Sequence, residues 1–188
     1  MNYKQDFETV DLILNSSTET RGVDAFVLSL VKAEKQIRRI FTFLIFQHSS
    51  YTIKDIGDLR KALADNNKVY FVGFLKGVDL ILPRIVKDIY GLDYDKDIKD
   101  LLNFTKDRNK IFHGQITANG LTRGDLLEKV NHIRKWSETL GEKLKAEIGY
   151  DGFSDSFKKS SLILKLNNLD KFDTIDNYKE FIKDNLQR

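Results

Sequence analysis

Three polar residues near a predicted helix end have types and a spacing that could carry chemistry: Arg108, Asn109 and His113. Asn109 and His113 are four residues apart and share one helix face, while Arg108 falls on the adjacent apolar stripe. A histidine exchanges protons near neutral pH, and a guanidinium offers an anion a permanent charge and a planar fork of donors. Burying such groups without partners is costly, and function is one reason for keeping them there.

The elements that must position these residues are predicted to be long helices. Apolar residues recur at helical spacing over 24–47, and a second helix is expected over about 93–113, with Gly114 placed to end it. A third helix over 122–149 begins with a capping-box pattern and carries one apolar stripe. The residues with chemical potential therefore lie at the end of a helix that has long amphipathic neighbours.

Shorter elements are expected between the first two long helices. A short helix is predicted at 58–65 and a longer one at 69–90, in which Pro83 should introduce a kink or start a new helix. A strand at 68–72 is the alternative for the beginning of that segment, because the segment contains β-branched residues.

The domain organisation follows from these elements. Residues 1–22 are a polar lead-in with little periodicity, predicted to be irregular or to hold one short helix. Residues 23–149 are predicted to form an all-α, up-and-down bundle of about four to five helices. Residues 150–188 form a small C-terminal appendage, with a linker, an extended segment or strand at 161–166 and a helix at 178–186.

The composition excludes several classes of protein. With 188 residues, 41% of them hydrophobic, the chain is long and apolar enough for one folded core. The absence of cysteine rules out disulfides and thiolate metal sites, and the three histidines lack metal-ligand spacing, so no metal or other cofactor is expected. A net charge of +3 is too small for bulk attraction of nucleic acid, so a local patch would be needed.

Neither a signal peptide nor a membrane span is recognisable. The first residues lack a basic start followed by an apolar run, and the densest apolar run, 40–46, is too short to cross a bilayer. We therefore expect a soluble, cytoplasmic protein without a membrane partner.

The segment from Arg108 to His113 resembles the R-x4–6-H motif of HEPN domains. In that family a polar residue commonly follows the arginine, as Asn109 does here, and the motif lies near the end of the third core helix of a four- to five-helix bundle. As architecture the resemblance covers about residues 24–148, and as sequence it covers this motif.

The resemblance implies a metal-independent endoribonuclease of the toxin–antitoxin or anti-phage defence kind. The ribose 2′-OH would attack the adjacent phosphate, leaving a 2′,3′-cyclic phosphate and a 5′-OH, which requires proton transfer and positive charge at the phosphorane. His113 and Arg108 suit these roles, and Asn109 would orient His113 or the phosphate. Because one chain supplies one motif histidine, a homodimer with both motifs in one groove is expected, with a cognate antitoxin or regulatory protein as a further partner.

One acidic residue and several cations extend the predicted site. Glu34 lies on the apolar stripe of the first long helix, where some HEPN ribonucleases carry an acidic residue near the Arg–His pair, and it is a further catalytic candidate. The alternative for Glu34 is a structural salt bridge to Arg108 or Arg38. The residues expected to contact RNA phosphates, or otherwise to form a solvated helix face, are Lys35, Arg38, Arg39 and Lys110.

Two other interpretations stay open at this point. A non-catalytic HEPN-like bundle would act as a binding or regulatory subunit without cleaving RNA. In an unrelated helical scaffold, Arg108 would form a structural ion pair and His113 would cap a helix C-terminus, where a cation is favoured.

Overall fold

The chain is all-α over residues 2–66, 68–114 and 120–187, the part that a computed structural model describes. Within these residues, β-structure is limited to one isolated bridge between Val69 and Gln187. This confirms the all-α prediction, although the described residues form more helices than the four to five expected. The helices are α1 (Tyr3–Leu14), α2 (Arg21–Phe46), α3 (Ile56–Ala64), α4 (Phe71–Ile81), α5 (Val86–Tyr90), α6 (Tyr94–Phe112), α7 (Arg123–Ile148) and α8 (Ile175–Asn185).

The two longest helices, α2 and α7, form the centre of the core. Both begin at the same end, because Gly22 of α2 lies against Leu126 of α7. Further along, the Gln36 side chain donates to the Ser137 carbonyl oxygen at 2.9 Å, so the helices run in the same direction. Residues 40–46 of α2 are all buried, because neighbouring elements surround this half of the helix.

Local signals fix the ends of α7. The Thr122 side chain accepts from the Asp125 backbone N–H, and the Asp125 side chain accepts from the Thr122 backbone in return, which forms the predicted capping box. Gly149 ends the helix with φ +76°, a left-handed conformation that favours glycine. The prediction of a helix over 122–149 is confirmed.

The segment predicted as one helix over 69–90 forms two helices. The chain leaves α4 at Leu82 and starts α5 at Val86, with Pro83 in the break, because proline cannot donate the backbone hydrogen bond that would continue the helix. The Asp79 carboxylate accepts from the Val86 backbone N–H at 2.6 Å and so stabilises the new helix start. The alternative strand at 68–72 is reduced to the bridge at Val69.

Both ends of the chain pack on the central helices. The lead-in forms α1, which buries Phe7 and Val10 and is tied to α7 by an ion pair between Arg134 and Asp11. At the other end, Tyr150 stacks on Phe43 of α2 with ring centroids 4.4 Å apart. Residues 161–166 form neither strand nor helix, and α8 buries its own apolar face on the core.

Over the described ranges, every helix is too short or too polar to span a membrane.

Candidate functional site

Helix α6 carries the motif residues in its last turns and ends where the sequence predicts. Asp95 and Asp97 lie in its first turn, where negative charge is favoured. His113 is the C-cap, and its backbone N–H donates to the Asn109 carbonyl oxygen at 3.1 Å. Gly114 follows with φ +62°, which ends the helix.

Arg108 and Glu34 form the centre of the site. The Arg108 Nη1 lies 2.9 Å from each carboxylate oxygen of Glu34, so α6 and α2 join two residues that are 74 positions apart. The Arg108 side chain is 14% exposed and that of Glu34 is 31% exposed. A charge-assisted hydrogen bond at this degree of burial is stronger than one between exposed ions, so Glu34 holds the guanidinium in a fixed orientation.

The opposite edge of the Arg108 guanidinium faces Asn109. The Asn109 Oδ1 accepts from Nε and from Nη2, each at 3.3 Å, and Asn109 is exposed. The Nε and Nη2 donors together form the edge with which arginine binds phosphate in a bidentate manner. Because a neutral amide at 3.3 Å is a weak acceptor, an incoming phosphate oxygen could displace Asn109 from this edge.

His113 contacts Asn109 through the backbone hydrogen bond that ends α6, and its side chain makes no described hydrogen bond to Arg108 or Asn109. It is exposed, and no residue in the described part of the chain hydrogen-bonds its imidazole. Its helical position places it one turn after Asn109 on the same face. The structure therefore brings Glu34, Arg108 and Asn109 together and leaves the His113 side chain at the solvent-exposed end of α6.

Two of the predicted phosphate-binding cations, Lys35 and Arg39, face a carboxylate that the sequence analysis missed. Asp6 of α1 has a side chain that is 3% exposed, and it lies 3.5 Å from Lys35 Nζ and 3.8 Å from Arg39 Nη1. Lys32 completes this cluster at 4.0 Å, and burial lowers the pKa of its ammonium group despite the neighbouring carboxylate. With three cations around one anion, the cluster keeps an excess of two positive charges.

The other two predicted cations differ in their surroundings. Arg38 is exposed on α2, and within the described ranges no acidic side chain pairs with it. Together with Lys35 and Arg39 it lines a cavity of about 780 Å³. Lys110 is half-buried on α6 and is not among the residues that line this cavity.

The other two histidines belong to different parts of the fold. The His132 Nε2 lies 3.2 Å from the Asp97 Oδ1 between α7 and α6, and the His132 ring contacts Phe104 edge-on. His48 follows α2, and its ring packs against Tyr51. In the part of the chain that the structure describes, no three His, Asp or Glu side chains cluster closely enough to hold a metal ion.

Comparisons with known proteins do not assign a function to this site. No protein-family model, curated protein or solved structure matches the chain.

Proposed function

We propose that this chain is a metal-independent endoribonuclease of the HEPN type, with Arg108 at the phosphate and His113 in proton transfer. The observation that carries the proposal is the state of Arg108. Its Nη1 is held by Glu34, and the edge formed by Nε and Nη2 is covered by one exposed amide, that of Asn109. A structural ion pair alone would not need a polar residue on that second edge.

The proposed reaction is an internal transesterification. A base removes the proton of the ribose 2′-OH, the 2′ oxygen bonds to the adjacent phosphorus, and the bond from phosphorus to the 5′ oxygen breaks. The leaving 5′ oxygen takes a proton from an acid, so the products are a 2′,3′-cyclic phosphate and a 5′-OH. Arg108 would neutralise the charge that develops on the non-bridging oxygens.

A homodimer supplies both proton-transfer groups. In a two-fold groove, His113 of one copy would accept the proton and His113 of the other would donate one. Phe112 is 64% exposed next to His113, and Val31 of α2 is 44% exposed. Large apolar side chains exposed near the site suit a contact with a second copy.

Glu34 acts through Arg108 in this proposal and is a positioning residue. Arg38 follows Glu34 by one helical turn, which corresponds to about 6 Å along α2. Arg38 and the cluster of Lys35 and Arg39 would therefore contact phosphates on one side of the scissile bond, with Lys110 contributing from α6. We further propose that the enzyme acts in the cytoplasm under the control of a cognate antitoxin or regulatory protein.

A second candidate function is a non-catalytic HEPN-like binding or regulatory subunit. It is favoured by the exposure of His113, the C-cap of α6. A cation at a helix C-terminus is stabilised there without any role in catalysis, so this position also suits a protein that binds RNA without cleaving it.

The chemistry of the product ends tests the proposed reaction. Fragments from a defined RNA should carry a 2′,3′-cyclic phosphate, detected by mass spectrometry, and a 5′-OH that polynucleotide kinase can label directly. Fragments with a 5′-phosphate would contradict the transesterification. Intact RNA bound to the protein would support the binding subunit instead.

A further inference from the structure

A concentration of positive charge lies in a cavity that Arg108, Asn109 and His113 do not line. The cavity, of about 780 Å³, lies between α2, α3 and the segment 153–157. Its described lining contains four cationic side chains and one carboxylate, Asp155. The side chains of the lining thus carry a formal excess of three positive charges, part of which is offset by Asp6, since Asp6 faces Lys35 and Arg39. The four cations are Lys35, Arg38, Arg39 and Arg60.

Two of these cations are available to an anion. Arg38 of α2 and Arg60 of α3 are exposed, and over the described ranges neither pairs with an acidic side chain. The Arg60 guanidinium lies over the Phe157 ring at 4.9 Å, and this contact positions Arg60 at the cavity. Arg39 instead donates to the Phe153 carbonyl oxygen at 3.0 Å, and so ties the segment 153–157 to α2.

The remaining lining combines apolar surface with hydrogen-bonding groups. Phe74, Phe157 and Val69 supply apolar surface, whereas Ser154 and Asn66 supply polar side chains. Pockets for small ligands are mostly apolar with a few polar groups, and about 300–1,000 Å³ in volume. An inorganic anion would leave this apolar wall uncovered, whereas a ligand with both a phosphate and a planar ring would contact both surfaces.

We propose that this cavity binds a nucleoside phosphate, with the phosphate at Arg38 and Arg60 and the base against the phenylalanine wall. Guanidinium groups bind phosphate through charge-assisted hydrogen bonds, and aromatic rings stack on any of the bases. The ligand is either a free nucleotide or one nucleotide of an RNA strand. The proposal does not rest on RNA cleavage, because a protein that binds without cleaving would still have this cavity.

Titration calorimetry on the full chain tests the proposal with three probes: AMP, inorganic phosphate and a single-stranded 2′-O-methyl oligoribonucleotide that cannot be cleaved. We expect saturable binding of AMP, the oligonucleotide or both, and weak binding of inorganic phosphate. Arg38→Gln and Arg60→Gln should each weaken that binding by about tenfold, because each removes a charged donor. Arg123→Gln, which removes an exposed arginine outside the cavity, is the matched control.

The outcomes separate the two sources of the ligand. If AMP binds and both cavity variants weaken its binding, the cavity is a free-nucleotide site. If only the oligonucleotide binds and both variants weaken that binding, the cavity is a strand-binding site. The proposal is overturned if neither probe binds, if Arg123→Gln weakens binding as much as the cavity variants, or if inorganic phosphate binds as tightly as AMP. Phe157→Leu adds a check on the base, since it should weaken AMP more than it weakens inorganic phosphate, which loses only the ring that positions Arg60. Thermal melting by circular dichroism verifies that each variant is folded.

Discussion

Arg108 donates from Nη1 to both carboxylate oxygens of Glu34, each at 2.9 Å, and this contact joins the end of α6 to the middle of α2. The carboxylate of Glu34 lies at Nη1 of the guanidinium, and the exposed Asn109 covers the edge formed by Nε and Nη2. In this arrangement Glu34 orients Arg108, and Arg108 presents two donors to an anion.

Replacing Glu34 with glutamine should lower cleavage through Arg108. An amide cannot hold the guanidinium with the same strength, so we expect kcat to fall by about tenfold or more with a smaller change in KM. In an Arg108→Ala background the same replacement should have no further effect, because the group that Glu34 orients is absent. Initial rates on a fluorescent RNA substrate measure both effects.

A neighbouring ion pair provides the control for Glu34. Asp107 accepts from Lys129 Nζ at 3.1 Å, also between α6 and a long helix and at comparable exposure. Asp107→Asn should lower the melting temperature without a specific loss of cleavage. If Asp107→Asn and Glu34→Gln reduce cleavage equally, the effect of Glu34 is on stability and its positioning role is refuted.

Mixing the wild type with an inactive variant tests the shared groove. Because the proposed reaction uses His113 of both copies, a mixed dimer of one wild-type and one His113→Ala chain keeps a single proton-transfer group and should be slow. We therefore expect the rate per wild-type chain to fall when the wild type is refolded with an excess of His113→Ala, and analytical ultracentrifugation should detect a dimer. A strictly monomeric wild-type protein that cleaves RNA would contradict the two-fold site.

Two helical glycines should respond in opposite directions to replacement by alanine. A Cβ at Gly73 of α4 would clash with the Leu186 carbonyl oxygen, whereas at Gly57 of α3 it would meet no heavy atom within 4 Å. We expect Gly73→Ala to reduce the free energy of unfolding by about 1–3 kcal/mol, and Gly57→Ala to raise it by up to about 1 kcal/mol. Urea denaturation measures both, and equal effects would show that α4 and α8 do not approach each other this closely.

The stability that the capping box at the start of α7 contributes should depend on pH through Asp125. The Thr122 hydroxyl and the Thr122 backbone N–H each donate to the Asp125 carboxylate at 2.7 Å. These two bonds, the hydroxyl's foremost, hold the pKa of the Asp125 carboxyl below its ordinary value. Because the folded-state pKa is lowered, the stabilisation is present above the ordinary pKa and is lost as the pH falls through the lowered one. Asp125→Asn should therefore reduce the melting temperature at pH 7 and have little effect well below the lowered pKa.

Asp93 is the matched control for this pH effect. It occupies the N-cap of α6, but its side chain makes no capping hydrogen bond. Asp93→Asn should therefore change the melting temperature less than Asp125→Asn at pH 7. A larger effect at Asp93 would show that the helix dipole, and not the capping box, accounts for the pH dependence.

Sequence signals that act over only a few residues predicted the helix ends well. The end of α6 at His113 and Gly114, and the start of α7 at Thr122, follow from capping preferences that act locally. Periodicity located α2 within a few residues, because one long apolar stripe is unambiguous. The break at Pro83 was anticipated as a kink, but the new helix start needed the Asp79 side chain, which lies seven residues from Val86.

Contacts between distant segments were the part that the sequence could not predict. Asp6, which lies on α1, neutralises part of the cation cluster on α2. The periodicity of the first residues is too weak for α1, and therefore Asp6, to be located from the sequence. The segment 153–157 was interpreted as part of a linker because of its serines, yet Phe153 is buried on the core. Arg60 was missed for the same reason, since only the tertiary fold brings it to the same cavity as Arg38. Glu34 was anticipated as a partner of Arg108, but as one of two alternatives.

Cleavage of total cellular RNA in EDTA, by the purified wild type beside Arg108→Ala and His113→Ala, tests the central claim most directly. Arg123→Ala and His48→Gln are controls. Arg123 lies on α7, and His48 follows the end of α2, which is about 18 Å from Glu34 along the helix axis. We predict that the wild type and the controls cleave, and that the Arg108 and His113 variants lose about a hundredfold or more of the rate while staying folded. An inert wild type, or variants that cleave as fast as the wild type, would contradict the ribonuclease account.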